Sequence, residues 1–487
     1  MNTKLYVKRF DTGATADVSE DFTLPDYQPE MRRVIGVRAA PTVDGKYLSG
    51  DELEADGGVT YTVLYMDGSG KLAQVSETSS YTGHIPLKTE DDLYGAGDIV
   101  LSADAENVSC RVTGPRRFTL SSRVRLSVMS QRSTDCALKV EGGRLDSVRR
   151  KTAVHTTACL GEVRKPCEAS GQIREQAGVS VISVQGEIAL SDVRMSPSSK
   201  TEACVKGDAY VTMLLETPDG EYASARGRAP VDEKIQLPEN TADLVIPAAF
   251  ASVVMTEVDC AEDGMLDWHM EYDIDCDTIK ASYAEVTDDA YLTESDDRLT
   301  MTEYVSYIPA GTVNARLTTA GSVKLRPGMT YLTSWGSGAA EKCEIADGRL
   351  KISGSSRVSV VTIGEGETVT DEIVIPFRYD CESVCSTGGD DASLTKRTLV
   401  SVPEITVRES GDTLDVTAEL AISAVILGCE QIRAASSIAP SAEQGKKCDN
   451  RATIRVYVPD GGESAWDIEK KFRLTEPLKA EGRLYVI

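Results

Sequence analysis

Val59-Thr60-Tyr61-Thr62-Val63-Leu64-Tyr65 alternates apolar residues with threonine, then runs through Asp67 and Gly68 into Gly70-Lys71. A period of two reads as a strand, and the Asp-Gly punctuation behind it reads as a turn into a second strand, so the segment is a hairpin. About 150 residues on, Ala209-Tyr210-Val211-Thr212-Met213-Leu214-Leu215 leads through Asp219 to Gly220-Glu221. A third copy, Arg357-Val358-Ser359-Val360-Val361-Thr362-Ile363, leads into Gly364-Glu365-Gly366. The first copy continues to Ile85-Pro86-Leu87 and the third to Pro376-Phe377. Each is followed by another alternating strand: Phe118 to Val128, Leu266 to Cys276 and Leu414 to Ile426.

That period is far longer than a solenoid unit, so each repeat reads as a complete small β-domain. Asp44-Gly45-Lys46 and Asp347-Gly348-Arg349 precede the hairpin in the first and third copies, while the second has Pro197-Ser198-Ser199-Lys200. The chain of 487 residues has only 6% aromatics, with abundant Thr, Val, Ser and Ala, which suits antiparallel β-structure. The reading is a mainly β protein of tandem antiparallel β-sandwich-like domains over 1–140, 141–297 and 298–433. A Ser/Ala/Lys-rich linker follows over 434–450, and a small terminal unit over 451–487.

The terminal stretch from Ile454 to Ile487 reads strand, Gly-rich turn, helix, second helix or turn, and final strand. Ser464 suits the N-cap, with acidic Glu463 beside the positive end of the helix dipole. Trp466, Ile468 and Phe472 are expected on one helical face, and Pro477 fits the first turn of a second helix. The strands Ile454 to Val458 and Arg483 to Ile487 alternate well enough to pair, which gives a βααβ unit too small to carry a large core of its own. Trp466 on such a face is most simply core.

The run Gly462-Glu463-Ser464-Ala465-Trp466-Asp467-Ile468-Glu469-Lys470-Lys471-Phe472-Arg473-Leu474-Thr475 resembles the signature of a LysM module. The opening Leu24-Pro25-Asp26-Tyr27-Gln28-Pro29-Glu30 with Val34-Ile35-Gly36-Val37, followed by the first hairpin, resembles the SPOCS domain found in tandem in endospore-forming bacteria. Copies two and three lack that Leu-Pro head. Tandem SPOCS domains followed by a LysM-like module resemble SipL-type spore-coat assembly proteins. The resemblance implies a non-catalytic adaptor made in the mother-cell cytoplasm and placed at the forespore surface. It implies that the LysM module contacts the morphogenetic ATPase of the coat's basement layer, with other coat proteins as further partners. In LysM modules the groove lies between the first turn and the one after helix two, which carries over to Gly462, Glu463, Ser464, Trp466, Leu474, Thr475 and Leu478. The chain departs from the family at Leu478-Lys479-Ala480-Glu481-Gly482, where a shortened approach removes part of the sugar groove. Peptidoglycan or cortex glycan is the alternative ligand.

The formal net charge of -25, from 77 acidic against 52 basic residues, argues against nucleic acid or an anionic membrane as partner. No apolar run approaches spanning length, and Lys4, Lys8 and Arg9 interrupt the first ten residues, so neither membrane insertion nor export is expected. The 12 cysteines are scattered and read as reduced thiols, and Cys381 with Cys385 lacks the further ligands of a metal site. His84, His155 and His269 sit in no catalytic motif. Glu90-Asp91-Asp92 and Glu294-Ser295-Asp296-Asp297 lack calcium-loop spacing and read as solvated turns. No catalytic residue, metal or cofactor is expected. The β-domains are expected to act through surfaces or strand edges.

Overall fold

The structure is a computed structural model that describes residues 3–87, 99–142, 145–238, 244–364, 367–382, 394–441, 456–459, 462–478 and 485–486. The hairpin read from Val59 to Lys71 is the centre of the first of three sandwiches. Its strands are β1 (Lys4–Thr23), β2 (Met31–Ser49), β3 (Glu52–Asp67), β4 (Leu72–Pro86), β5 (Ile99–Gly114) and β6 (Arg117–Asp135). One sheet is ordered β2-β3-β4 and the other β1-β6-β5, all neighbours antiparallel. Alternation along β3 turns Leu53, Ala55, Val59, Tyr61, Val63 and Tyr65 inward against Phe118, Leu120, Val124 and Leu126 of β6. Tyr61 keeps its hydroxyl satisfied inside by a 2.7 Å bond to Ser122. At the turn, the Asp67 carboxylate accepts from the backbone N–H groups of Ser69 and Lys71, both at 2.8 Å, and Gly70 takes φ +88°.

A two-residue strand, β7 (Lys139–Val140), leads to the second sandwich. It comprises β8 (Ser147–Arg174), β9 (Ser180–Met195), β10 (Glu202–Glu216), β11 (Tyr222–Gln236), β12 (Leu244–Cys260) and β13 (Met265–Leu292). The third comprises β14 (Asp297–Lys324), β15 (Thr330–Ala346), β16 (Arg349–Gly364), β17 (Glu367–Glu382), β18 (Leu394–Ser410) and β19 (Thr413–Pro440). Both repeat the strand order of the first, β9-β10-β11 with β8-β13-β12 and β15-β16-β17 with β14-β19-β18, but in the third β15 also pairs β18 at Gly338 and Val400, and β14 pairs β1 at Ser306 and Val7. Each sandwich carries its own apolar core, centred on Val211, Trp268 and Met270 in the second and on Val358, Val360 and Leu420 in the third.

The first and last strands of each copy run past the sandwich as an antiparallel pair, and these three stalks meet. Where they meet, residues at the repeat spacing touch. The Tyr6 N–H donates to Thr156 Oγ1 at 2.9 Å, and Ser306 Oγ donates to the Tyr6 carbonyl at 2.9 Å, 3.3 Å from Thr156 Oγ1. Their separations of 150, 150 and 300 residues place one residue from each copy on a common pseudo-threefold axis. Leu5, Val7, Ala284, Val286, Ile432 and Ala434 bury around the ring. A second shared cluster lies where the hairpin sheets converge, with Leu64, Leu214 and Val361 from the three copies. There a Cβ on Gly36 would lie 2.1 Å from the Trp335 ring, so only glycine lets the first and third sandwiches approach this closely.

Polar glue between copies is asymmetric. Arg316 of the third sandwich bonds Asp208, the Tyr210 hydroxyl and the Ala189 carbonyl of the second, at 2.5, 2.9 and 3.0 Å. Arg38 pairs with Glu187 at 2.9 Å, and Lys71 with Glu216 at 2.6 Å. Arg397, largely enclosed on β18, faces Asp277 at 2.7 Å, Glu162 at 3.1 Å and Asp275 at 3.5 Å, with its guanidinium 4.3 Å from the Phe250 ring centroid. Burial works against the Arg397 charge, but the three carboxylates outweigh it and hold its pKa above the ordinary value. Burial also dominates at Asp277, whose carboxyl is pushed up to about 6 despite Arg397.

Two sequence expectations change. Residues 434–440 are not linker: they complete β19, with Ala434, Ala435 and Ile438 buried and paired along β14. Their small side chains fit the crowded stalk, which composition alone reads as flexibility. The remaining expected linker residues, 442–450, lie outside the described residues. The terminal unit holds one helix, α1 (Ala465–Phe472), between β20 (Val456–Tyr457) and its antiparallel partner β21 (Tyr485–Val486), so the described residues form βαβ and not βααβ. Where the second helix was expected, the Leu478 N–H is drawn back to the Glu469 carboxylate at 2.8 Å, which fixes an irregular turn through Pro477. Residues 479–484 lie outside the described residues, as do Glu90, Asp91, Asp92 and Cys385. Of the ten described cysteines, only Cys260 is exposed.

Asp277 has a folded pKa near 6, above the ordinary 3.8, so its ionised form costs stability above pH 6 and the cost is relieved as pH falls. Carboxylates held low, such as Asp67 and Asp208, lose their contribution only as pH drops below the ordinary carboxylate value. On lowering pH from 7.5 to 5.5 the melting temperature is expected to rise, and Asp277→Asn to lack part of that rise. Arg397→Leu removes the guanidinium that faces Asp277 and Glu162, while Asp275 keeps Arg164 at 2.7 Å, and is expected to cost about 3 kcal/mol in urea unfolding at pH 7.5.

Candidate functional site

α1 is short, so its ends decide whether it forms. Ser464 is the N-cap, at φ -80° and ψ 161°. Its Oγ accepts from the Asp467 N–H while the Asp467 carboxylate accepts from the Ser464 N–H at 2.9 Å, a reciprocal capping box. Asp467 fills the acidic role at this end, and Ser464 holds its carboxyl below the usual carboxylate range. Glu463 acts elsewhere, accepting from the Tyr457 hydroxyl at 2.7 Å and from Lys471 at 3.1 Å, which ties α1 to β20. Gly462 takes φ +115°, a turn conformation suited to glycine. The helix ends at Arg473, in the left-handed region at φ 52°.

Ile468 is fully buried, and Phe472, one turn on, meets the Tyr457 ring edge-on at 5.1 Å. Trp466 does not share that face, because two helical residues lie about 200° apart. It points at the corner that joins the second sandwich to the third, where β13 ends and β14 begins. Its ring is tilted 5.4 Å from Tyr291, Arg150 lies 5.4 Å over it, and its Nε1–H donates to Asp289 at 2.8 Å. Lys470 donates to the other Asp289 oxygen at 2.6 Å. Arg473 bonds Asp297 and Asp296, each at 2.7 Å, and the Leu292 carbonyl at 2.5 Å. The Tyr291 hydroxyl closes the contact by donating to the Leu474 carbonyl at 2.6 Å.

Electrostatics follow this geometry. Burial raises the Asp289 carboxyl, but hydrogen bonds from Lys470 and Trp466 outweigh it and hold the group below the usual range. Burial opposes the Arg473 charge, and Asp297 and Asp296 more than restore it. Burial pushes the Tyr291 hydroxyl up to about 12, so it stays a donor.

Of the residues carried over to the groove, Gly462, Ser464 and Thr475 are exposed, and Glu463, Trp466, Leu474 and Leu478 are half-buried. The first turn and Thr475 flank α1. Trp466 and the Leu474 backbone are engaged by the second sandwich, so Trp466 is neither module core nor free surface. The reading of Asp296 and Asp297 as a solvated turn is corrected: they hold Arg473, and Asp297 also accepts from the Leu292 N–H at 3.3 Å. Asp289 and Tyr291 were missed altogether. The one signal in the sequence was the density of acids between Asp288 and Asp297 opposite a basic pair. Among the described residues, no group of three or more His, Cys, Asp or Glu converges as for a metal, and no helix is long and apolar enough to cross a membrane.

No family model, curated protein or solved structure matches the chain. Ser464→Ala is expected to cost α1 about 1 kcal/mol, read as faster amide exchange over Ala465–Phe472 with no change in the three sandwich cores.

Proposed function

We propose that the chain is a non-catalytic adaptor of bacterial spore-coat assembly, acting in the mother cell at the forespore surface. One observation carries the reading: exposed Gly462, Ser464 and Thr475 flank a helix braced against a platform of three fused sandwiches. A platform of this kind offers several separate surfaces on one body, and modest affinities then combine through effective concentration. The terminal module supplies the attachment to the coat-basement morphogenetic ATPase, and the sandwiches offer edges and faces to other coat proteins. The same turn residues would serve a glycan ligand, which makes peptidoglycan the competing outcome.

Binding of the full chain to the ATPase and to insoluble peptidoglycan decides between them. Saturable binding to the ATPase is expected, weakened about tenfold or more by Thr475→Arg at the exposed rim, a loss of roughly 1.4 kcal/mol. The chain is expected to remain in the supernatant above peptidoglycan, and co-sedimentation with glycan alone would sink the adaptor reading. None of the three cores includes a residue of 456–478, so a chain ending before Arg451 is expected to melt as the full chain does yet fail to localise at the forespore.

A further inference from the structure

α1 is already bound to something, and what it binds discloses its chemistry. Its ligand is the ten-residue corner that joins the second sandwich to the third, Asp288 to Asp297, in which carboxylates surround Tyr291. Every group α1 sends there has a matched receiver. The Trp466 ring lies against Tyr291 and under Arg150, its N–H and the Lys470 ammonium divide the two oxygens of Asp289, and Arg473 spans Asp296 and Asp297. Arg150 is itself held by Asp288 at 3.0 Å.

We infer that the face of α1 formed by Trp466, Lys470 and Arg473 is a recognition surface for an aromatic flanked by carboxylates, held in cis by this corner as a releasable latch. A partner that engages Trp466 must present the same acidic-aromatic chemistry and displace the corner. The latch is poised for exchange because its ion pairs are only partly buried: Lys470 is 39% exposed and Asp296 40%. Such pairs weaken as salt screens them. The interface is also small, one helix of 8 residues, and a helix of that length does not persist in water without its packing surface. Release therefore exposes Trp466 and loosens α1 together. The closed position leaves Gly462, Ser464 and Thr475 outward, so a first contact can form at the turn before the corner gives way.

The identity of the displacing partner rests on the adaptor reading; the latch does not. Amide hydrogen exchange on the full chain, without any partner, tests the latch directly. Asp289→Lys sets two like charges against each other, and exchange over Ala465–Phe472 is expected to accelerate about tenfold. Pairing it with Lys470→Asp restores the attraction and is expected to return most of the protection, a rescue that a merely structural role for Asp289 would not show. Wild-type protection over α1 is expected to fall several-fold between 0.05 and 0.5 M salt while β3 and β16 are unmoved. Equal exchange in wild type and Asp289→Lys, or no return in the charge-swapped pair, overturns the latch whatever the chain binds. Latch-type exchange without binding of the ATPase by Asp289→Lys keeps the latch and removes the adaptor reading.

Discussion

The meeting of Tyr6, Thr156 and Ser306 is the constraint on which the architecture rests. Three polar groups at one repeat spacing close a hydrogen-bonded ring inside an apolar collar of Leu5, Val7, Ala284 and Val286. A polar group buried there without partners would be costly, so the three strands must arrive together and in register. Register propagates outward from that point. Once β1, β8 and β14 are fixed, each last strand pairs along its first strand, and the sandwich beyond is placed by continuity of the same two strands. The hairpin sheets then converge on their own shared cluster, where Gly36 admits Trp335. Symmetry here is a property of one chain, and each copy is free to diverge wherever it leaves the axis.

Divergence is where specificity enters. Arg397 belongs to the third copy alone and is clamped by acids of the second; Arg38 reaches from the first copy to Glu187 of the second. These partly buried pairs are poor sources of net stability, because desolvation offsets much of the attraction, as the raised Asp277 carboxyl records. Their effect is to make each wrong juxtaposition expensive, so the three similar sandwiches assemble in one order. The acidic corner of the second copy follows the same logic, with α1 as its counterpart and not another sandwich.

The hairpins were legible because alternation and turn chemistry are local. Val59 to Tyr65 is inward-outward along β3, and Asp67 and Gly70 build the turn that their spacing announces. Ser464 was legible for the same reason, since a cap acts within one turn of helix. The axis was not legible: Thr156 and Ser306 are ordinary strand residues until three copies are superposed in space. Ala434 to Pro440 misled because small residues serve a crowded stalk as readily as a loose linker. Trp466 misled because the face it uses is defined by a surface some 180 residues earlier, at Asp289 and Tyr291. At the expected start of the second helix, the described residues hold a turn in which the Leu478 N–H donates to the Glu469 carboxylate.

The architecture therefore stands on two placements, copy against copy and α1 against the second copy. Zero-length carbodiimide coupling of the monomer, read by mass spectrometry, tests both at once, because it joins only amines and carboxylates already in contact. Lys71 lies 2.6 Å from Glu216 across the first and second sandwiches, and Lys470 lies 2.6 Å from Asp289. Both links are expected in the monomer fraction, alongside the Lys206 to Asp232 link within the second sandwich at 3.1 Å. Recovery of the Lys206 link without the other two would leave the sandwiches intact and contradict their assembly about a common axis with a docked terminal helix.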